Sequence, residues 1–195
     1  SALGGSLLRH IGPHLASSET ARKNLAAVFP EKNQVEREEI VAGMWDNLGR
    51  VAAEYAHLYH IWDRVELIGG ECLNTARENT KPSFFFGGHI GNWEICAIAA
   101  KQAKLDLHLV YRKPNNSGVD GLLRHARGSG ATGYIEKGAS GAREILSLMK
   151  KNGAIGIMVD QKLNEGIPIP FFGRDAMTAT ALAHFALKFD ASAYP

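Results

Sequence analysis

Cysteine is scarce in this chain: Cys72 and Cys96 are the only two among 195 residues. That excludes a small disulfide-stapled scaffold, and free thiols in a reducing compartment are the simpler expectation. Net charge is small as well, with 22 Lys and Arg against 20 Asp and Glu. The basic residues are scattered, so no patch argues for a nucleic-acid partner. No run reaches the roughly 18 to 20 apolar residues needed to cross a bilayer, and the start is not a signal peptide. Nucleotide loops are missing too. Gly87-Gly88-His89-Ile90-Gly91 lacks the dinucleotide spacing, and Gly128-Ser129-Gly130 has no Lys-Ser/Thr behind it. A metal centre needs a tight set of His, Cys or carboxylate ligands. His89 with Glu94 supplies too few, so no metal and no other cofactor is expected.

Apolar residues make up 45% of the chain, enough for a core. One domain over residues 1–195 is expected, with a helical part at about 1–62 and an α/β part at about 63–195. Both ends read as cut: Ser1 begins in mid-pattern and Ala191 to Pro195 stops where another strand should start, so missing flanks could carry an anchor. Leu3, Leu7, Leu8, Ile11 and Leu15 recur at near-helical spacing around Arg9, His10 and His14, a mildly basic amphipathic pattern. That pattern fits an ordinary surface helix or the tail of a membrane-proximal one. A second helix runs from Ser17 or Ser18 to Val28. A longer one runs from Gln34 to about Tyr59, with Val41, Met44, Trp45, Leu48, Val51, Tyr55 and Leu58 on one stripe.

After Trp62 the rhythm changes. Short apolar runs at Val65–Ile68, Ser83–Phe86, Leu107–Tyr111, Tyr134–Ile135, Ala154–Val159 and Ile169–Phe172 alternate with helical stretches near 71–79, 92–104, 118–127, 140–151 and 178–189. The pattern predicts an α/β fold: a largely parallel central sheet flanked by helices, preceded by the N-terminal helical segment. Such sheets carry their sites at the carboxyl ends of the strands.

At one such end lies Phe84-Phe85-Phe86-Gly87-Gly88-His89-Ile90-Gly91-Asn92-Trp93-Glu94. The glycines end the strand, and a helix opening at Asn92 would put Glu94 about one and a half turns beyond His89, within reach of the imidazole. Imidazole titrates near neutrality and can take a proton from an attacking hydroxyl, while a carboxylate on its far nitrogen fixes the tautomer. Equally open on spacing alone is a first-turn glutamate favoured by the helix dipole beside a loop histidine. Arg112 and Lys113 follow another strand and suit an anion such as phosphate, against the alternative of a solvated basic turn. Asp160, Gln161 and Lys162 follow a third strand, either as part of a site or as a simple turn. Ile167-Pro168-Ile169-Pro170-Phe171-Phe172-Gly173-Arg174 is a proline-stiffened apolar loop that either lines an acyl-chain channel or packs as a connector.

These segments together resemble the late lipid A acyltransferases, the lauroyl and myristoyl transferases, within the lysophospholipid acyltransferase superfamily. The likeness runs from Asn24-Leu25-Ala26-Ala27-Val28-Phe29-Pro30-Glu31 through Asn47-Leu48-Gly49-Arg50 and Glu54-Tyr55 to Ala186-Leu187-Lys188-Phe189. Its most specific part is Gly88-His89-Ile90-Gly91-Asn92-Trp93-Glu94, a His, four residues, acid block carrying Glu where the wider superfamily usually has Asp. Tyr111-Arg112 resembles the second block, and Asp160-Gln161 with Pro170-Phe171-Phe172-Gly173 resembles the third. The resemblance implies a single glycerolipid acyltransferase-like domain that moves an acyl group from acyl carrier protein, or acyl-CoA, to a hydroxyl of a lipid A precursor or related glycolipid. It places that work at the cytoplasmic face of the inner membrane. It implies His89 as general base oriented by Glu94, with Asn92, Arg112, Lys113, Asp160 and Gln161 binding substrate. Family members usually carry an N-terminal membrane helix and a longer C-terminal part. From other classes, a non-catalytic lipid-binding module, or a thioesterase or lipid esterase using the same dyad, also fits these residues.

Overall fold

Phe84, Phe85 and Phe86 form the centre of strand β1 (Ser83–Gly87), and successive side chains of a strand point to opposite faces. A strand apolar on both sides belongs inside a sheet covered by helices on both faces. The computed structural model has that arrangement. It describes residues 1–195 apart from 115, 129 and 130 and the side chains of Tyr59, Ser117, Val119, Leu122, Arg124 and Ala126. Asn115, in the basic segment after Tyr111, and Ser129-Gly130 therefore lie outside the described residues. The chain groups into two compact units, Ser1–His57 with Pro170–Arg174, and Leu58–Ile169 with Asp175–Pro195.

The second unit holds the sheet. Its elements, in chain order, are helices α4 (Leu58–Ile61) and α5 (Glu71–Glu78), β1, α6 (Ile95–Gln102), β2 (Leu107–Tyr111), α7 (Ser117–Arg127), β3 (Gly133–Glu136), α8 (Ala139–Met149) and β4 (Ala154–Met158). The hairpin strands β5 (Ile167–Phe171) and β6 (Arg174–Thr178), of which Pro170–Arg174 group with the first unit, then α9 (Ala181–Phe189) and β7 (Ser192–Tyr194), complete the order. Five strands form one sheet in the order β3-β2-β4-β1-β7, and each of its neighbouring pairs is parallel. The two faces bury separate clusters. Leu73, Ala76, Ala99, Ala100, Leu105, Leu107 and Ala154 join α5 and α6 to one face, with Phe85 packed against them. Phe84, Ile135, Ile145, Met149 and Ile155 join α8 to the other, with Leu182 and Phe185 of α9. Phe84 is 1% exposed, and burying a side chain of that size stabilises the fold by about 2–3 kcal/mol.

Three sequence expectations are corrected. Val65–Ile68 is not a strand, because the Val65 amide closes a turn on the Trp62 carbonyl and Gly69 (φ +74°) turns the chain again before α5. Leu67 and Ile68 stay 48% and 86% exposed, so β propensity there finds no sheet edge to join. Residues 169–171 of the apolar run belong to β5, which pairs with β6 outside the main sheet. Phe172 and Gly173 link the two, both at positive φ (48° and 72°), the backbone a tight two-residue hairpin demands. Helix α6 starts at Ile95 rather than Asn92, a shift that matters at the site.

The first unit contains α1 (Ala2–Ile11), α2 (Ser17–Val28) and α3 (Gln34–Glu54). Asn33 and Glu36 cap α3 reciprocally, Asn33 Oδ1 accepting the Glu36 amide at 3.0 Å and Glu36 Oε2 accepting the Asn33 amide at 2.8 Å. Glycines let α1 and α3 touch backbone to backbone: a Cβ on Gly49 would lie 2.2 Å from the Gly4 carbonyl oxygen. From the predicted stripe of α3, Val41, Trp45 and Val51 are buried while Met44 and Leu48 remain part-exposed. The Trp45 indole N–H donates to Ser18 Oγ, which donates to the Gly12 carbonyl, both at 2.7 Å, so the polar atom of this buried aromatic is satisfied. Arg174, at the hairpin tip, donates to Asn24 Oδ1 at 2.9 Å.

Candidate active site

Strand order decides which residues meet. β1 and β4 are adjacent and parallel, with Gly87 opposite Met158. The pairing continues one step as the Val159 amide donates to the Gly87 carbonyl at 3.0 Å. Two residues past the last register pair, His89 and Asp160 therefore stand side by side. The chain leaving β1 enters α6 on one face, and the chain leaving β4 returns through α9 on the other. Connections that part to opposite faces leave a crevice between the strand ends, where open α/β sheets bind ligands.

Asp160 takes two hydrogen bonds from His89: Oδ2 from the backbone N–H at 2.7 Å, and Oδ1 from ring Nδ1 at 2.8 Å. An ionised carboxylate only accepts, so Nδ1 carries a proton, and in the neutral ring Nε2 then keeps its lone pair. The Trp93 ring sits edge-on to the imidazole at 5.0 Å and 71°. A Cβ on Gly88 would lie 3.3 Å from Asp160 Oδ2, so glycine there gives the carboxylate its room. The His89 and Asp160 side chains are 33% and 40% exposed, open to an incoming molecule.

Burial pushes the Asp160 carboxyl upward. The His89 amide, the ring N–H and the imidazole charge outweigh it and hold the group below the ordinary aspartate range. Hydrogen bonds from Arg22 lower Glu38, and those from Arg50 lower Asp46, in the same direction. A depressed carboxylate contributes stability that is complete above its unfolded value, near 4, and is lost as pH falls through the lower folded value. Thermal melts are therefore expected to hold level from pH 7 to about 5 and to fall below about pH 4. Melting temperatures unchanged down to pH 3 would contradict these pairings.

The expected contact between Glu94 and His89 is not formed; among the described residues the ring bonds Asp160 instead. Gly91 is left-handed (φ +56°), and Asn92 Oδ1 accepts the Glu94 amide at 3.2 Å, so the chain makes a further bend before α6 begins. Glu94 becomes the residue preceding the helix, its side chain 5% exposed and turned to the end of α7. There Arg127 grips it in a fork, Nε to Oε2 at 2.8 Å and Nη2 to Oε1 at 2.7 Å. The Trp93 indole N–H adds a bond to Oε1 at 3.1 Å, and the guanidinium lies 6.0 Å from the Tyr134 ring centre. Breaking such a buried pair by removing one partner destabilises by about 3–5 kcal/mol, since the other charge is left uncompensated.

The remaining predicted residues lie along the same carboxyl edge. Arg112, just past β2, is exposed and, among the described residues, holds no ion pair. Lys113 Nζ lies 3.5 Å from Glu136 Oε1, and Gln161 Oε1 accepts from Lys137 Nζ at 2.9 Å, so both are engaged with neighbours. Asn92 shapes the bend through its bond to the Glu94 amide. A cavity of about 390 Å³ between α5 and α6, lined by residues including Leu67, Leu73, Ala99 and Ala103, touches none of these groups. Arg127 escaped sequence reasoning because it closes an ordinary amphipathic helix 33 positions from its partner. Asp160 was visible, but its place beside His89 follows only from strand order.

A solvent-open histidine, paired to a carboxylate at the switch point of a parallel sheet, defines an α/β protein equipped to accept a proton from a hydroxyl. The family model for bacterial lipid A biosynthesis acyltransferase matches residues 2–195, nearly the whole chain, and the chain belongs to that family. Comparison with curated proteins gives no match.

Proposed function

We propose that this protein transfers a fatty acyl group, lauroyl or myristoyl in length, from an acyl carrier protein thioester or acyl-CoA to a hydroxyl of a lipid A precursor. His89 is the general base and Asp160 the group that orients it. The observation carrying this reading is the Nδ1 bond to Asp160, which leaves Nε2 as a proton acceptor at the open edge of the sheet. Nε2 takes the acceptor's hydroxyl proton as the oxygen attacks the thioester carbonyl. The tetrahedral intermediate then expels the thiolate, which recovers that proton from the imidazolium. The new ester and the free thiol balance the step, and no enzyme-bound acyl group is required.

Arg112, exposed one strand away, supplies a guanidinium for an anionic group on the acceptor. Lys113 and Gln161 extend the same polar edge. Leu3, Leu7, Ile11 and Leu15 form an exposed apolar face along and just beyond α1, with Arg9 and His10 in the helix's last turn. That exposed apolar face supports work at the cytoplasmic surface of the inner membrane, where burial of apolar area drives interfacial binding. Among the described residues no helix is long and apolar enough to cross a membrane.

Mass spectrometry of the products formed from an acyl carrier protein thioester, acyl-CoA and a lipid A precursor tests the reading. Acylated precursor is expected. Free fatty acid with unmodified precursor would select a hydrolase, and lipid binding without turnover would select a docking module.

A further inference from the structure

The bend that carries His89 is fastened at a second place, away from Asp160. Glu94 Oε1 accepts both from Arg127 Nη2 and from the Trp93 indole N–H, and the Trp93 ring in turn meets the imidazole edge-on. Arg127 is the last residue of α7, so this chain of contacts ties the bend to a helix that enters the sheet through β3. Resting on the reading of His89 as the base, we propose that Arg127 is a positioning residue for the reaction. Its fork fixes the Glu94 carboxylate, the carboxylate fixes the Trp93 indole, and the indole sets the imidazole from the side that Asp160 does not reach.

Two features separate this role from mere stabilisation. First, the contacts form a series, so cutting one link should make a second cut redundant. Second, the fork is geometric: two nearly parallel N–H bonds hold the carboxylate against rotation, which an ammonium of the same charge does not do. Arg127→Lys keeps the charge beside Glu94 and releases its orientation. Trp93→Phe keeps a ring beside His89 and removes the N–H that registers it.

The test compares kcat and KM of the whole protein with Arg127→Lys, Trp93→Phe, both together and His89→Ala, using acyl carrier protein thioester and lipid A precursor. Small displacements of a reacting group carry losses of up to about 100-fold, and each single variant is expected to lose about 10-fold or more in kcat. KM should stay within about twofold, since neither residue is assigned a substrate contact. The double variant should be no slower than the slower single, the mark of residues acting through one another. Wild-type kcat in Arg127→Lys, or losses that multiply in the double variant, would overturn the relay. Substantial activity in His89→Ala would overturn the underlying reading instead. The His89 ring-proton resonances, assigned by their loss in His89→Ala, provide a check that needs no substrate: Arg127→Lys should move them, and unmoved resonances refute the relay.

Discussion

His89→Ala is expected to lose acyl transfer by about 10⁴-fold, at the upper end of what a positioned general base contributes. Alanine leaves no group at the strand end able to take the hydroxyl proton. The neighbouring Asp160 is held below the ordinary aspartate range and is a weaker base than imidazole. The loss should fall on kcat, because the ring is assigned a proton and not the bulk of substrate binding. Its side chain is 33% exposed, outside the two buried clusters of the sheet, so the melting temperature should stay within a few degrees of wild type. Product formation from radiolabelled thioester, measured beside a thermal melt, checks both halves. A folded His89→Ala protein that retains wild-type kcat would refute His89 as the base and assign the proton transfer to another group.

What the sequence made legible divides by range. The strand read over Ser83–Phe86 is legible locally, since a short run of aromatics ended by two glycines has the length and the stop of a buried strand, and β1 extends it by one residue to Gly87. The alternation of short strands and helices from there to Phe189 specified the α/β layer. His89 at the corner after β1 was legible for the same local reason. The failures are long-range or concern small backbone turns. Val65–Ile68 carries β-favouring residues, but strand formation needs a partner edge that composition cannot supply. The start of α6 was misplaced by three residues because Gly91 adopts a left-handed turn and Asn92 bonds the Glu94 amide. That small shift redirects the acid of the motif from the histidine to Arg127. The actual partner of His89 lies 71 positions away and becomes predictable only once β1 and β4 are known to be neighbours in register.

The motif's two polar ends thus perform different tasks within one bend. His89 is open to solvent at the carboxyl end of β1 with Asp160 on its Nδ1 side, while Glu94 is drawn inward against Arg127. A histidine and an acid five positions apart suggest a pair, and here the acid holds the loop that the histidine stands on. Separating the tasks also frees both oxygens of Asp160 for His89, one on the backbone amide and one on the ring. A carboxylate used twice by one residue restrains where that residue sits as well as how its ring turns.

That double use makes Asp160→Asn the sharpest test of how the base is set, with an expected loss of about 10³- to 10⁴-fold in kcat. An amide has one accepting oxygen where the carboxylate has two. If the oxygen stays on ring Nδ1, the amide nitrogen faces the His89 backbone N–H and two donors oppose each other. If the amide turns over, its N–H donates to Nδ1, and the ring proton must move to Nε2, where it blocks the base. Either orientation leaves one of the two bonds unmade. Glu94→Gln differs in kind. It removes the charge opposite Arg127 and should lower the melting temperature more than Asp160→Asn does, since Glu94 is buried and Asp160 is not. Nitrogen NMR of labelled histidine is expected to find His89 protonated on Nδ1 in the wild type and shifted toward Nε2 in Asp160→Asn. An Asp160→Asn protein with an unchanged tautomer and kcat within threefold of wild type would show that the carboxylate does not orient the base.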